Sequence, residues 1–173
     1  MARKKSSKPI EIPVIGDVDG WERDVIRSLL EVPPGGHAEF LFDSSGGSVY
    51  GSLAALTLMG LRRITGTAVV LGECSSAALL LFAACQRRRV TRYGSFLFHH
   101  MHWESEKKVR TTEAVSWAAH FRRLEQDTDE LLLRLFGRSQ EQVRKWIAED
   151  RYVWGEEMAE AGLAELFEIG GKG

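Results

Sequence analysis

"GTAVVLGECSSAALLLFAAC", residues 66–85, decides the fold. Its first part, "GTAVVLG", reads as a strand, and its last, "SAALLLFAAC", reads as a helix. Two serines, Ser75 and Ser76, stand at the junction. Serine is usually exposed, or spent on caps and turns. The pair therefore either starts a buried helix or places a nucleophile at its tip. The preceding stretch has the same layout. "AEFLF" is a short apolar strand, the glycines of "DSSGGS" make a tight turn, and "VYGSLAALTLMGLRRI" is a helix with small and apolar residues facing inward. Strands alternating with helices predict parallel βαβ units, hence an α/β sheet covered by helices.

Working outward, "IEIPVIGDV" reads as a first strand. Asp19 with Glu22 fits a capping box opening a helix that carries Trp21, Ile26, Leu29 and Leu30, and "PPGG" ends it. "RRRVTRYGSFLFHH" gives two short strands separated by Tyr93 and Gly94. From Thr111 to Phe136 apolar residues recur at helical spacing: Ala114, Trp117, Phe121, Leu124, Leu131, Leu132 and Leu135. Gly137 stops that helix. Ser139 with Gln142 predicts a capping box for "QEQVRKWIAED"; a short helix around "GEEMAEAGL" and a strand "AELFEI" follow.

At 173 residues the chain is long enough for one domain with a real core. The expected organisation is a flexible basic tail, residues 1–10 with "MARKKSSK", then a single domain over residues 11–173. A net charge of −1 provides no global field for nucleic acid or a membrane surface. The longest strictly apolar run, residues 77–85, is too short to span a bilayer. No apolar stretch follows the basic start, so it does not read as a signal peptide. Two cysteines make no disulfide framework. The expected location is cytoplasmic, with Cys74 and Cys85 reduced.

Both "DSSGGS" and "GECSSA" fall where a strand turns into a helix. Ligands gather at the carboxyl ends of strands in open α/β sheets. First-turn N–H groups lack intrahelical partners there, and a glycine turn admits a carbonyl closely. Such a place can stabilise an oxyanion. A serine attacks only if a base takes its proton. The histidines of "FLFHHMHW" supply that base. Asp127, Asp129, Glu149 and Asp150 are all candidates to orient it, and spacing does not choose among them. His99, His100 and His102 also suggest a metal set, disfavoured because adjacent strand side chains point to opposite faces. Cys74 reads as a small apolar packing residue.

From about residue 12 to 169 the chain resembles the Clp protease proteolytic-subunit (ClpP) family, within the wider ClpP/crotonase-fold group. "DSSGGSVYGSLAALTLM" resembles the family's Ser-Pro-Gly-Gly-Ser-Val loop and following helix. "LGECSSAALLLFAAC" resembles its Gly-x-Ala-Ser-Met-Gly nucleophile turn. "SFLFHH" resembles the strand ending in its catalytic histidine, and "DRYVWGEEMAEAGLAEL" its segment opening on aspartate. The resemblance implies a ββα-superhelix with a protruding helical handle. It implies a serine endopeptidase cutting peptides or unfolded proteins inside an oligomeric chamber. Carried over, Ser76 is the nucleophile, His99 the general base and Asp150 the residue orienting it, with Glu149 as rival. Backbone N–H groups of Gly47 and Ala77 form the oxyanion hole. Ser75 falls where the family usually has alanine, and His100 on a non-catalytic position.

The resemblance further implies a homo-oligomer of stacked heptameric rings, no metal or organic cofactor, and an AAA+ unfoldase as candidate partner. The chain departs from the family at Ser45, in place of proline, and at "CSSA". It also departs at "HMHWESEKKVR", where the family tends to be glycine-rich. These departures leave two alternatives. One is a catalytically inactive ClpP-like ring or scaffold subunit. The other is a crotonase-like acyl-CoA enzyme, which leaves Ser76, His99 and Asp150 unexplained.

Overall fold

The computed structural model describes residues 8–16, 20–104 and 108–170. Most of the expected basic tail lies outside them, and the first strand already begins at Ile10. That strand, β1 (Ile10–Ile15), pairs in parallel with β2 (His37–Ser44), and β2 with β3 (Thr65–Cys74). Beyond β3 lie β4 (Arg87–Val90) and β7 (Glu165–Leu166), also parallel. The order is β1-β2-β3-β4-β7. The connections are helical, α1 (Trp21–Glu31), α2 (Val49–Arg62) and α3 (Ala78–Ala84), as strand–helix alternation requires.

β2 shows why the sheet faces as it does. Ala38, Phe40, Phe42 and Ser44 are buried while the residues between them are less so, the two-residue period of a strand with one face on the core. α3 obeys the opposite rule. Ala78 to Ala83 are all buried, and a helix apolar on every side belongs inside. Its Phe82 meets Phe42 at 6.0 Å, Phe96 at 5.3 Å and Phe136 at 6.3 Å between ring centres. Each such fully buried side chain contributes about 1.5–3 kcal/mol.

Two strands branch from the far end of β3. β5 (Ser95–Phe98) attaches through Glu73 opposite Ser95. β6 (Arg151–Trp154) runs antiparallel to β5, with Phe98 opposite Arg151. β6 has no counterpart in the sequence reading: four residues, only Val153 of them buried, carry too little alternation to register. Its register has a consequence. Residue 150 enters the strand beside the end of β5, where residue 99 leaves.

The long helix is α4 (Thr111–Phe136), with the predicted bounds. Its 26 residues reach about 39 Å, and its buried residues are confined to its last third: Thr128, Leu132, Leu133 and Phe136. The N-terminal part stands off the core as a handle, with Val115 and Trp117 exposed. Gly137 ends it at φ 72, a left-handed position that favours glycine.

Three local expectations need correction. α1 is capped by Gly20, which offers no side chain, and Asp19 lies outside the described residues. Glu22 instead accepts the N–H of Ser48 at 2.9 Å. Ser139 precedes α5 (Gln140–Ala148) but makes no cap bond: at φ 53 its hydroxyl turns away and donates to the Ala161 carbonyl at 2.6 Å. The last strand covers two residues rather than all of "AELFEI", because its partner β4 ends at Val90. The short helix before it is α6 (Gly155–Glu160). No helix among the described residues is long and apolar enough to cross a membrane.

Candidate active site

The turn between β3 and α3 resolves the double serine. Ser75 is fully buried. Its hydroxyl donates to Glu73 Oε1 at 2.6 Å and accepts the Leu97 N–H at 2.9 Å. Ser76 donates its own N–H to the Leu97 carbonyl at 3.0 Å. Both backbone groups of one β5 residue are thus held by adjacent serines, which locks the turn to the strand leading to His99. The work is divided: Ser75 spends its hydroxyl on structure. Ser76 keeps its own uncommitted, with no hydrogen bond to the hydroxyl among the described residues. Ser76 is held at φ 55, a left-handed conformation that costs a non-glycine residue roughly 1–3 kcal/mol.

The glycine loop is fitted against that serine. At Gly46 (φ 123) a Cβ would fall 2.6 Å from Ser76 Cβ, so only glycine lets the loop approach. The Gly46 carbonyl accepts Trp21 Nε1–H at 2.8 Å, and its N–H donates to Ser44 Oγ at 3.2 Å. A Cβ at Gly47 would meet Trp21 Nε1 at 2.8 Å and Glu22 Oε1 at 2.9 Å. The first turn of α1 therefore presses the loop into place. Among the described residues neither the Gly47 nor the Ala77 N–H has a protein acceptor.

These groups border a cavity of about 440 Å³. Gly47, Ser76, Ala77 and His99 line it together, with apolar walls from Leu79, Leu80, Phe98, Phe121 and Leu132. Four of the five sequence candidates thus share one space; Asp150 is outside the lining. The Asp150 carboxylate accepts the backbone N–H of His100 at 3.0 Å, from a residue held at φ 47. Its rival Glu149 faces Lys145 at 3.8 Å instead. No hydrogen bond among the described residues joins Ser76 to His99 or His99 to Asp150. Burial pushes the His99 imidazole below the ordinary histidine range; the His102 and His100 rings act the same way, while the His100 backbone and Asp150 oppose them.

Sequence reasoning did not give three groups their place at this cavity: His102 entered only as a candidate metal ligand, Asp129 as one of four acids that could orient the base, and Glu125 not at all. His99 Nδ1 lies 3.2 Å from His102 Nδ1. Glu125 and Asp129, one turn apart on α4, line the opposite wall. Glu125 Oε1 accepts the Met101 N–H at 2.8 Å and lies 3.4 Å from His100 Nδ1, which ties the handle to the histidine segment. Burial, reinforced by Glu125, pushes the Asp129 carboxyl up to about 6. The available signal was the i, i+4 spacing of these acids beside Phe121, Leu124 and Leu132, which puts them on the apolar face. No cluster of three or more His, Cys, Asp or Glu side chains is placed to hold a metal ion among the described residues.

Chemically, the arrangement offers a hydroxyl at a strained turn, unpaired backbone donors beside it and an imidazole across the same space. Comparison with known proteins adds the family. A curated relative, ATP-dependent Clp protease proteolytic subunit 4 of Rhodococcus jostii (strain RHA1), is 29% identical over 152 residues, covering 85% of this chain and 77% of its own length. The model of the family described as Clp protease matches residues 25–168, from within α1 to beyond β7 and across every element that builds the cavity. The chain belongs to the Clp protease family.

Proposed function

We propose that the protein is a ClpP-type serine endopeptidase in which Ser76 attacks a peptide carbonyl. The observation that carries this reading is the meeting of Ser76, held at φ 55, with the unpaired Gly47 and Ala77 N–H groups and His99 around one cavity. His99 takes the hydroxyl proton as the Ser76 oxygen bonds to the carbonyl carbon. The Gly47 and Ala77 N–H groups receive the negative charge that develops on the carbonyl oxygen. The C–N bond then breaks, and the imidazolium returns its proton to the leaving amine. Water, activated by the same imidazole, hydrolyses the acyl-enzyme and restores Ser76.

Asp150 contributes from the end of β6. By accepting the His100 N–H it fixes the chain beside the base, and its charge favours the imidazolium that forms. The lowered proton affinity of His99 keeps the imidazole neutral, hence basic, at neutral pH. The substrate class is peptides or unfolded proteins. The relative named a proteolytic subunit supports this, and the word ATP-dependent in its name supports an AAA+ unfoldase partner. A homo-oligomer of stacked heptameric rings, with the handle helix between subunits, suits the exposed apolar side chains Val115 and Trp117 on α4.

A fluorophosphonate probe tests the reading: wild type is labelled and Ser76→Ala is not. The second reading, a ring subunit without activity, draws on the missing Ser76–His99 hydrogen bond. It requires that an assembled protein remain unlabelled at every probe concentration.

A further inference from the structure

We propose that His102 is a positioning residue of the Ser76 site: its imidazole accepts the Nδ1 proton of His99 and thereby leaves His99 Nε2 as the free base. The inference rests on the endopeptidase reading. Its geometry is independent of it.

The two Nδ1 atoms are 3.2 Å apart, the ring planes differ by 20°, and the ring centres are 5.2 Å apart. The nitrogens are much closer than the centres, so the rings meet edge to edge, as an N–H···N bond demands. A neutral imidazole carries one proton on its two nitrogens. Two facing Nδ1 atoms hold together only if one donates and the other accepts. If His99 donates, its Nε2 carries the lone pair that a general base needs. If His102 donates, His99 Nε2 is protonated and useless as a base. Only the first arrangement is compatible with taking the Ser76 proton, and it persists when His99 becomes an imidazolium, since Nδ1–H is kept.

The Asp150 carboxylate does not hold that proton in this structure. Asp150 Oδ1 accepts the His100 N–H at 3.0 Å and makes no hydrogen bond to the His99 ring among the described residues. The other charged or titratable groups facing the pair are His100 on its own segment, and Glu125 and Asp129 on α4. Glu125 accepts the Met101 N–H and faces His100, the His100 backbone also acts on the His99 imidazole, and among the described residues His102 is the side chain within hydrogen-bond distance of His99 Nδ1. His102 is exposed, so its side chain can be replaced without opening the core.

The test pairs fluorophosphonate labelling with imidazole ¹⁵N chemical shifts of the intact assembled protein, in wild type, His102→Ala, His102→Asn and Asp150→Asn. Asparagine keeps an acceptor oxygen near the position of Nδ1. The expected result is a fall in labelling rate of about 10- to 100-fold for His102→Ala, recovery to within a few-fold for His102→Asn, and a smaller loss for Asp150→Asn. In wild type at pH 8 His99 carries its proton on Nδ1; in His102→Ala the proton moves to Nε2. Wild-type rate with an unchanged His99 tautomer in His102→Ala overturns the proposal. So does an equal loss in both His102 variants with that tautomer unchanged, which marks a merely structural role. If wild type is not labelled at all, the endopeptidase reading fails, and the tautomer comparison still decides whether His102 holds His99.

Discussion

The two sides of the cavity are built differently. On the nucleophile side the reactive groups are surrounded by committed ones. Ser75 is bonded twice, Leu97 gives both its backbone groups to the turn, and the glycine loop is held by Trp21 and Glu22 from α1. On the base side His99 leaves β5 into residues 99–104, which carry no regular structure, and the handle beyond is exposed. That side is tied by a few contacts: His102, the Asp150 carboxylate and Glu125. The difference teaches that the oxyanion site is fixed by the core, while the base is placed by polar contacts near solvent.

The largest expected effect breaks both sides at their reactive atoms. Ser76→Ala and His99→Ala should each lower peptide turnover by about 10⁴-fold or more, measured on folded protein, because members of such a unit act together. His100→Ala should stay within about 10-fold of wild type, since its backbone N–H, not its ring, meets Asp150. A large loss there would move the base assignment by one residue.

Next come substitutions that strike the rigid side alone. Gly46→Ala puts a Cβ 2.6 Å from Ser76 Cβ at a φ of 123. We expect a loss of about 2–4 kcal/mol in denaturant unfolding together with lost activity. Ser75→Ala leaves the half-buried Leu97 N–H without its acceptor and should cost about 1–3 kcal/mol. If activity falls while stability does not, Ser75 has a chemical role and the division between the serines is wrong.

The smallest effect probes the loose side. Asp129 is half-buried with its carboxyl pushed up to about 6, so the folded state holds that proton more tightly than the unfolded chain. Its stabilising share is present below the ordinary aspartate range and is lost as pH rises through about 6. Asp129→Asn, which mimics the protonated form, should therefore stabilise by about 1 kcal/mol at pH 7 after allowing for solvent screening, and by nothing below about pH 4. Thermal melts at the two pH values check it; a gain that does not change with pH contradicts the assignment.

This contrast also explains what was legible in the sequence. The parallel sheet was readable because β2, β3 and α3 each carry a full period of their pattern, and α4 could be bounded because Gly137 marks its stop. The rigid side of the site was readable for the same reason: "DSSGGS" and "GECSSA" are local turns whose geometry follows from a few adjacent residues. The base side was not. β6 is too short to show a period, and the pairing that brings Asp150 to His100 is made across fifty residues. His102 was considered only as a metal ligand, because sequence spacing cannot say that its ring edge meets that of His99. Ser139 misled through a local motif that a tertiary bond to Ala161 overrides.

The account's central claim is that His99, reached across the cavity, makes the Ser76 hydroxyl reactive. Peptide mapping after fluorophosphonate labelling of the assembled protein tests it most directly. The account predicts the adduct on Ser76, and its loss in His99→Ala. An adduct on Ser75, or labelling of Ser76 at an unchanged rate without His99, would contradict it.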